Sequence, residues 1–106
     1  MTRYLLNSAV ITSEGVYEYR LVTPQEATEW IRRGDWVSRI GYPQTADWIE
    51  QLAGVRPALS REASPMEVGD EALVVRLRYR VADPSQKGSV AVGPDVWEYG
   101  ILRRRG

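Results

Sequence analysis

Polar and apolar residues alternate over residues 16–22, with Val16, Glu18 and Arg20 on one side and Tyr17, Tyr19 and Leu21 on the other. A period of two predicts a half-buried strand. The same alternation runs longest over residues 71–81. There Leu73, Val75, Leu77 and Tyr79 share one face, and Arg76, Arg78 and Arg80 share the opposite one. Shorter strands are predicted over residues 3–8, around apolar Leu5 and Leu6, and over residues 36–40. A last strand is predicted over residues 96–102, followed by a basic tail.

Between the strands the period changes. Thr23-Pro24-Gln25-Glu26 carries a capping residue, a proline at the first helical position and the acidic partner of a capping box. Ala27, Trp30 and Ile31 then form an apolar face at helical spacing, and Gly34 ends the helix. Gly41-Tyr42-Pro43-Gln44-Thr45 turns the chain into a second helix with a buried stripe of Ala46, Ile49, Leu52 and Ala53, stopped by Gly54. Ser13-Glu14-Gly15 is a turn, residues 55–70 read as a loop rich in breakers, and residues 82–94 are turn-rich. Four or five strands with two helices predict an α/β or α+β sheet domain. A length of 106 residues suits a single domain spanning residues 1–106.

Composition narrows the chemistry more than the fold. The chain has neither cysteine nor histidine, which excludes disulfides, Cys-His pairs and Ser-His-Asp triads. Fourteen basic and fourteen acidic side chains cancel, so a duplex nucleic acid partner is not expected. The arginines still cluster towards the C-terminal third, which leaves room for a local anion site. No signal peptide and no apolar run of membrane-spanning length is present, so a cytoplasmic protein with no membrane partner is expected.

Each candidate group has a structural alternative. Glu67, Asp70 and Glu71 are the tightest carboxylate cluster, and such a cluster beside a glycine fits a solvated turn as well as a metal site. Arg76, Arg78 and Arg80 suit either a solvated sheet face paired with glutamates across strands or a phosphate-binding face. Gly41-Tyr42-Pro43 opens a helix, whose N-terminus offers free N–H groups to an anion. Trp30, Trp36, Trp48 and Trp97 suit a core or interface, or stacking on bases.

An ordered set of segments carries a resemblance. It comprises Tyr4-Leu5-Leu6-Asn7-Ser8-Ala9, Glu18-Tyr19-Arg20, Ile40-Gly41, Gln44-Thr45-Ala46-Asp47 and Arg61. Met66-Glu67-Val68-Gly69-Asp70-Glu71-Ala72-Leu73-Val74-Val75, Arg80 and Glu98-Tyr99-Gly100-Ile101-Leu102-Arg103-Arg104 complete it. Across nearly its whole length the chain resembles the viral and bacterial ring nucleases, the type III anti-CRISPR family that acts on cyclic tetra-adenylate.

The resemblance implies a central mixed β-sheet flanked by α-helices and a two-fold homodimer that binds the cyclic oligoadenylate ligand across its interface. It implies no cofactor and no metal. A ribose 2′-hydroxyl attacks its own phosphate, and linear di-adenylates with a cyclic phosphate end result. The host cytoplasm is the expected location if the source is viral.

By position, Asn7, Ser8 and Gly41 match ligand-contacting places, and Arg61 and Arg80 match basic residues at the phosphates. Asp83 falls near an acidic position. The departure is at Tyr42, which stands where the family carries the histidine thought to protonate the leaving 5′-oxygen, with Pro43 following. Tyr42 is then either a hydroxyl donor in that role or an aromatic plug over the helix start. Function divides accordingly. The chain sequesters the ring or cuts it slowly; alternatively it is a fully active ring nuclease using a different acid, or a dimeric interaction protein that has lost the ligand.

Overall fold

The computed structural model describes residues 1–9, 11, 13–77 and 96–106. In chain order these form β1 (Arg3–Leu6), β2 (Tyr17–Val22), α1 (Pro24–Arg32), β3 (Val37–Arg39), α2 (Pro43–Ala53), β4 (Glu71–Leu77) and β5 (Trp97–Arg104). The strands make one sheet in the order β2-β5-β4-β1-β3. β1 runs parallel to both its neighbours, β3 and β4, whereas β5 runs antiparallel to β4 and β2. The expected mixed sheet with two helices is therefore present.

Both helices pack on one face of the sheet. Leu5, Leu73, Val75, Trp97 and Tyr99 meet Ala27, Trp30, Ile31, Ala46 and Ile49 there. α1 starts where the capping box places it: the Thr23 hydroxyl accepts from the Glu26 N–H at 3.1 Å, and the Glu26 carboxylate accepts from the Thr23 N–H at 3.3 Å. α2 ends at Gly54, whose φ of 77° is a left-handed conformation that glycine adopts without a Cβ penalty. The opposite face of the sheet buries Tyr4, Leu6, Ala72, Val74 and Leu102 beneath Met66.

Several local expectations change. β4 is buried on both faces over residues 71–75 because it is a central strand, so the polar-out alternation appears only at Arg76. Arg76 is paired across the strands with Glu98, at 2.8 Å from its Nε. Arg78, Tyr79, Arg80 and Asp83 lie outside the described residues. Leu21, expected on the buried side of β2, is exposed. The last strand continues to Arg104, and the basic tail has partners: Arg103 pairs with Glu71, Arg104 donates to the Met66 and Glu14 carbonyls, and Arg105 pairs with Glu18.

The tryptophans follow the core alternative. Trp30 and Trp97 are fully buried, Trp48 and Trp97 stack with centroids 5.9 Å apart, and the Trp36 indole donates to the Ile31 carbonyl. Asp70 is a turn clamp, accepting from the backbone N–H groups of Thr2 at 2.8 Å and Glu67 at 2.9 Å. Among the described residues no helix is long and apolar enough to cross a membrane.

Candidate functional site

The C-terminal ends of parallel strands β1 and β3 lie side by side, with Leu6 in register with Arg39. Such ends form the ligand-binding crevice of open α/β sheets. After β1 the chain continues into Asn7 and Ser8, and after β3 it enters Gly41 and Tyr42 before α2. The Asn7 carboxamide oxygen accepts the Gly41 N–H at 3.0 Å and locks the two ends together.

A third wall comes from the loop after α2. The Ser38 hydroxyl donates to the Ala58 carbonyl, Ile40 bridges to Leu59 in parallel, and the Ser60 N–H donates to the Ile40 carbonyl at 2.9 Å. Residues 58–60 thus run along the outer edge of the sheet and deliver residues 60–64 to the crevice. The result is a cavity of about 300 Å³ lined by Asn7, Ser8, Arg39, Gly41, Tyr42 and Arg61, among others.

Five of the positions singled out in the sequence, Asn7, Ser8, Gly41, Tyr42 and Arg61, therefore meet in one place. The other two, Arg80 and Asp83, lie outside the described residues. Arg61 donates its Nε to the Gly41 carbonyl at 3.2 Å, and its guanidinium carbon sits 5.2 Å from the centroid of the Tyr42 ring. The approach is close: a Cβ at position 41 would stand 3.1 Å from Arg61 Cγ, so a larger residue there would make the Arg61 side chain shift by a few tenths of an ångström. Among the described residues Arg61 has no carboxylate partner. It is an exposed cation held by a backbone carbonyl and an aromatic face.

Tyr42 is the N-cap residue of α2, but its side chain makes no capping hydrogen bond and is 40% exposed at the cavity. Its carbonyl accepts the Thr45 and Ala46 N–H groups. Pro43 occupies the first helical position, where a missing N–H costs nothing. The helix start therefore adds the positive end of its dipole to the cleft.

Two charged lining residues, Arg39 and Glu62, were not singled out in the sequence. Arg39 donates to the Ala63 carbonyl at 3.3 Å and the Ser38 carbonyl at 3.0 Å, and lies 3.6 Å from the Glu62 carboxylate. The available signal was positional: Arg39 sits at the end of a predicted strand, two residues before Gly41. Glu62 carried no signal, because the loop's path along β3 is not periodic. Among the described residues no group of carboxylates is arranged to hold a metal ion.

Comparison with known proteins places these observations in a family. ORF117 of Acidianus two-tailed virus is 30% identical over 103 residues, covering 89% of this chain and 88% of that protein. YddF of Bacillus subtilis (strain 168) is 36% identical over 59 residues; the match covers 54% of this chain and little more than half, 55%, of that protein. The structure of B116 of Sulfolobus turreted icosahedral virus superposes with a TM-score of 0.75 over 97% of this chain and 99% of that one, at 15% identity, and so shares the fold. Residues 3–95 match the family described as STIV B116-like, and the chain belongs to that family.

Proposed function

We propose that the cleft binds a cyclic oligoadenylate, cyclic tetra-adenylate first, and that the protein antagonises type III CRISPR second-messenger signalling by holding the ring or cutting it slowly without a metal. The observation that carries this reading is the convergence of Asn7, Ser8, Gly41, Tyr42 and Arg61 in one cavity, from three separate stretches of chain. These are positions at which the ring nuclease resemblance expects ligand contacts.

The chemistry of the cleft suits a phosphodiester. Arg61 supplies charge-assisted donors, the start of α2 supplies a dipole, and Asn7 and Ser8 supply polar groups beside them. Arg61 is suited to binding a phosphate and to stabilising the extra charge that builds on it when a ribose 2′-hydroxyl attacks. Proton delivery to the leaving 5′-oxygen is the weaker part. Tyr42 is packed against Arg61 as an aromatic wall, and it stands where the ring nuclease resemblance expects a histidine acid. Retention of the ring therefore outweighs its turnover.

The test incubates purified protein with cyclic tetra-adenylate in the presence of a metal chelator, measures binding by calorimetry and separates the products by chromatography. Binding that weakens with added salt is expected, with slow or no appearance of linear di-adenylate ending in a cyclic phosphate. Absence of binding at low salt overturns the assignment.

A further inference from the structure

We infer that Arg39 is a further anion-binding residue of this cleft and that Glu62 competes for it, so that an incoming phosphate displaces the Glu62 carboxylate. The inference rests on reading the cleft as a phosphate site and adds a residue and a built-in competitor to it. Both residues line the cavity.

The three nitrogens of the Arg39 guanidinium have different partners. Nε donates to the Ala63 carbonyl at 3.3 Å, and Nη1 donates to the Ser38 carbonyl at 3.0 Å. Among the described residues only Nη2 faces a carboxylate, Glu62 Oε2 at 3.6 Å. The guanidinium also lies 5.9 Å from the centroid of the Tyr4 ring. Two carbonyls and an aromatic face thus keep Arg39 in place when Glu62 leaves.

The two partners differ sharply in exposure. The Arg39 side chain is 20% exposed, whereas that of Glu62 is 80% exposed. A solvated glutamate loses little when a long contact breaks, because exposed ion pairs contribute little. A half-buried, pre-positioned arginine gains more from a phosphate oxygen, which accepts a shorter, charge-assisted hydrogen bond. Arg61, on the same wall, has no such competitor among the described residues. Anchoring of residues 58–60 does not need the ion pair either, since the Ser38–Ala58 and Ser60–Ile40 hydrogen bonds already hold them to β3. The Arg39–Glu62 pair is therefore free to act as an exchangeable contact.

The experiment compares wild type, Glu62→Gln and Glu50→Gln. Glu50 lies on α2 towards its C-terminal end, pairs with Arg56 and does not line the cleft, so its variant changes net charge equally without touching Arg39. Inorganic pyrophosphate is titrated at low ionic strength while the arginine Nε–H resonances are followed by NMR, and cyclic tetra-adenylate is titrated in parallel.

The Arg39 Nε–H signal is expected to move saturably. Glu62→Gln should bind pyrophosphate on the order of three- to tenfold more tightly than wild type, the effect of removing one like charge several ångströms from the anion at the protein surface. Glu50→Gln should match wild type. Equal gains in both variants, no gain in Glu62→Gln, or no pyrophosphate binding by either overturns the exchange. A gain with pyrophosphate but no binding of cyclic tetra-adenylate supports the exchange and removes the nucleotide reading. Tight cyclic tetra-adenylate binding that Glu62→Gln leaves unchanged for both ligands does the reverse.

Discussion

The carboxamide oxygen of Asn7 accepts the backbone N–H of Gly41 at 3.0 Å, across 34 residues of sequence. One side chain thereby fixes the end of β1 against the turn that opens α2. The same turn offers the Gly41 carbonyl to Arg61 on its other side. Asn7 is thus a positioning residue for the cleft before it is a contact for any ligand.

Two substitutions at Asn7 separate those roles. Asn7→Ala leaves the Gly41 N–H without its acceptor, and a loss of about 0.5–1.5 kcal/mol of stability is expected, read by chemical denaturation. Asn7→Asp keeps an acceptor in place, so stability should stay closer to wild type. It adds a negative charge to the cleft, however, and affinity for a phosphate-bearing ligand should fall further than in Asn7→Ala. Equal affinity in the two variants would show that no anion comes near this position.

Where local chemistry dictates local structure, the elements were legible in the sequence. The Thr23–Glu26 capping box set the start of α1, and Gly54 set the end of α2. Tertiary placement was not legible. Arg76 reads as part of an arginine face, but its fate depended on Glu98 arriving opposite it from 22 residues away. In sequence the tail arginines read only as a basic tail; in the fold Arg103 pairs with Glu71 and Arg105 with Glu18. The candidate site was legible as far as the resemblance reached, at Asn7, Ser8, Gly41, Tyr42 and Arg61. Arg39 and Glu62 emerged only from the course of residues 58–64 along β3, a path set by single hydrogen bonds rather than by any repeat of apolar residues.

Acid should weaken the fold through Glu71. This carboxylate is buried, accepts the Trp30 indole N–H at 2.6 Å and pairs with Arg103. Burial pushes its pKa up, but the hydrogen bonds from Arg103 and Trp30 and the nearby charges outweigh burial and hold it below the ordinary carboxylate value. A depressed folded-state pKa stabilises the fold above the unfolded value of about 4.3, and that contribution is lost as pH falls through the folded-state value. Glu71→Gln should therefore cost about 1–3 kcal/mol at pH 7. Its deficit against wild type should shrink below pH 4 in denaturation series. A deficit independent of pH would place the cost in packing rather than in charge.

A dimer is expected in solution. The resemblance places the ring across two copies of the chain, each contributing one cleft. A cyclic tetranucleotide has repeating phosphates that two symmetric copies meet identically. Light scattering at micromolar concentration should give twice the chain mass, and calorimetry should give one ring per two chains. A monomer that binds one ring per chain would contradict this arrangement.

The last expectation concerns position 42. If proton delivery limits cleavage, Tyr42→His should raise metal-independent turnover of cyclic tetra-adenylate, on the order of 10²-fold, the lower end of what a matched general acid contributes. Pro43 works against a larger gain, because its fixed φ holds the first residue of α2 and limits how the new imidazole turns into the cleft. Tyr42→Phe isolates the hydroxyl, since it keeps the ring that Arg61 packs against. If Tyr42 is an aromatic wall, this variant should match wild type in both binding and residual cleavage. If the hydroxyl donates to the leaving oxygen, cleavage should fall while binding holds. Tyr42→Ala should weaken binding under either role, because Arg61 loses its aromatic face and, among the described residues, keeps the Gly41 carbonyl alone. Fast wild-type turnover that survives Tyr42→Phe would mean that the proton comes from another group. Asp83, assigned only by the resemblance, would then be the first residue to replace.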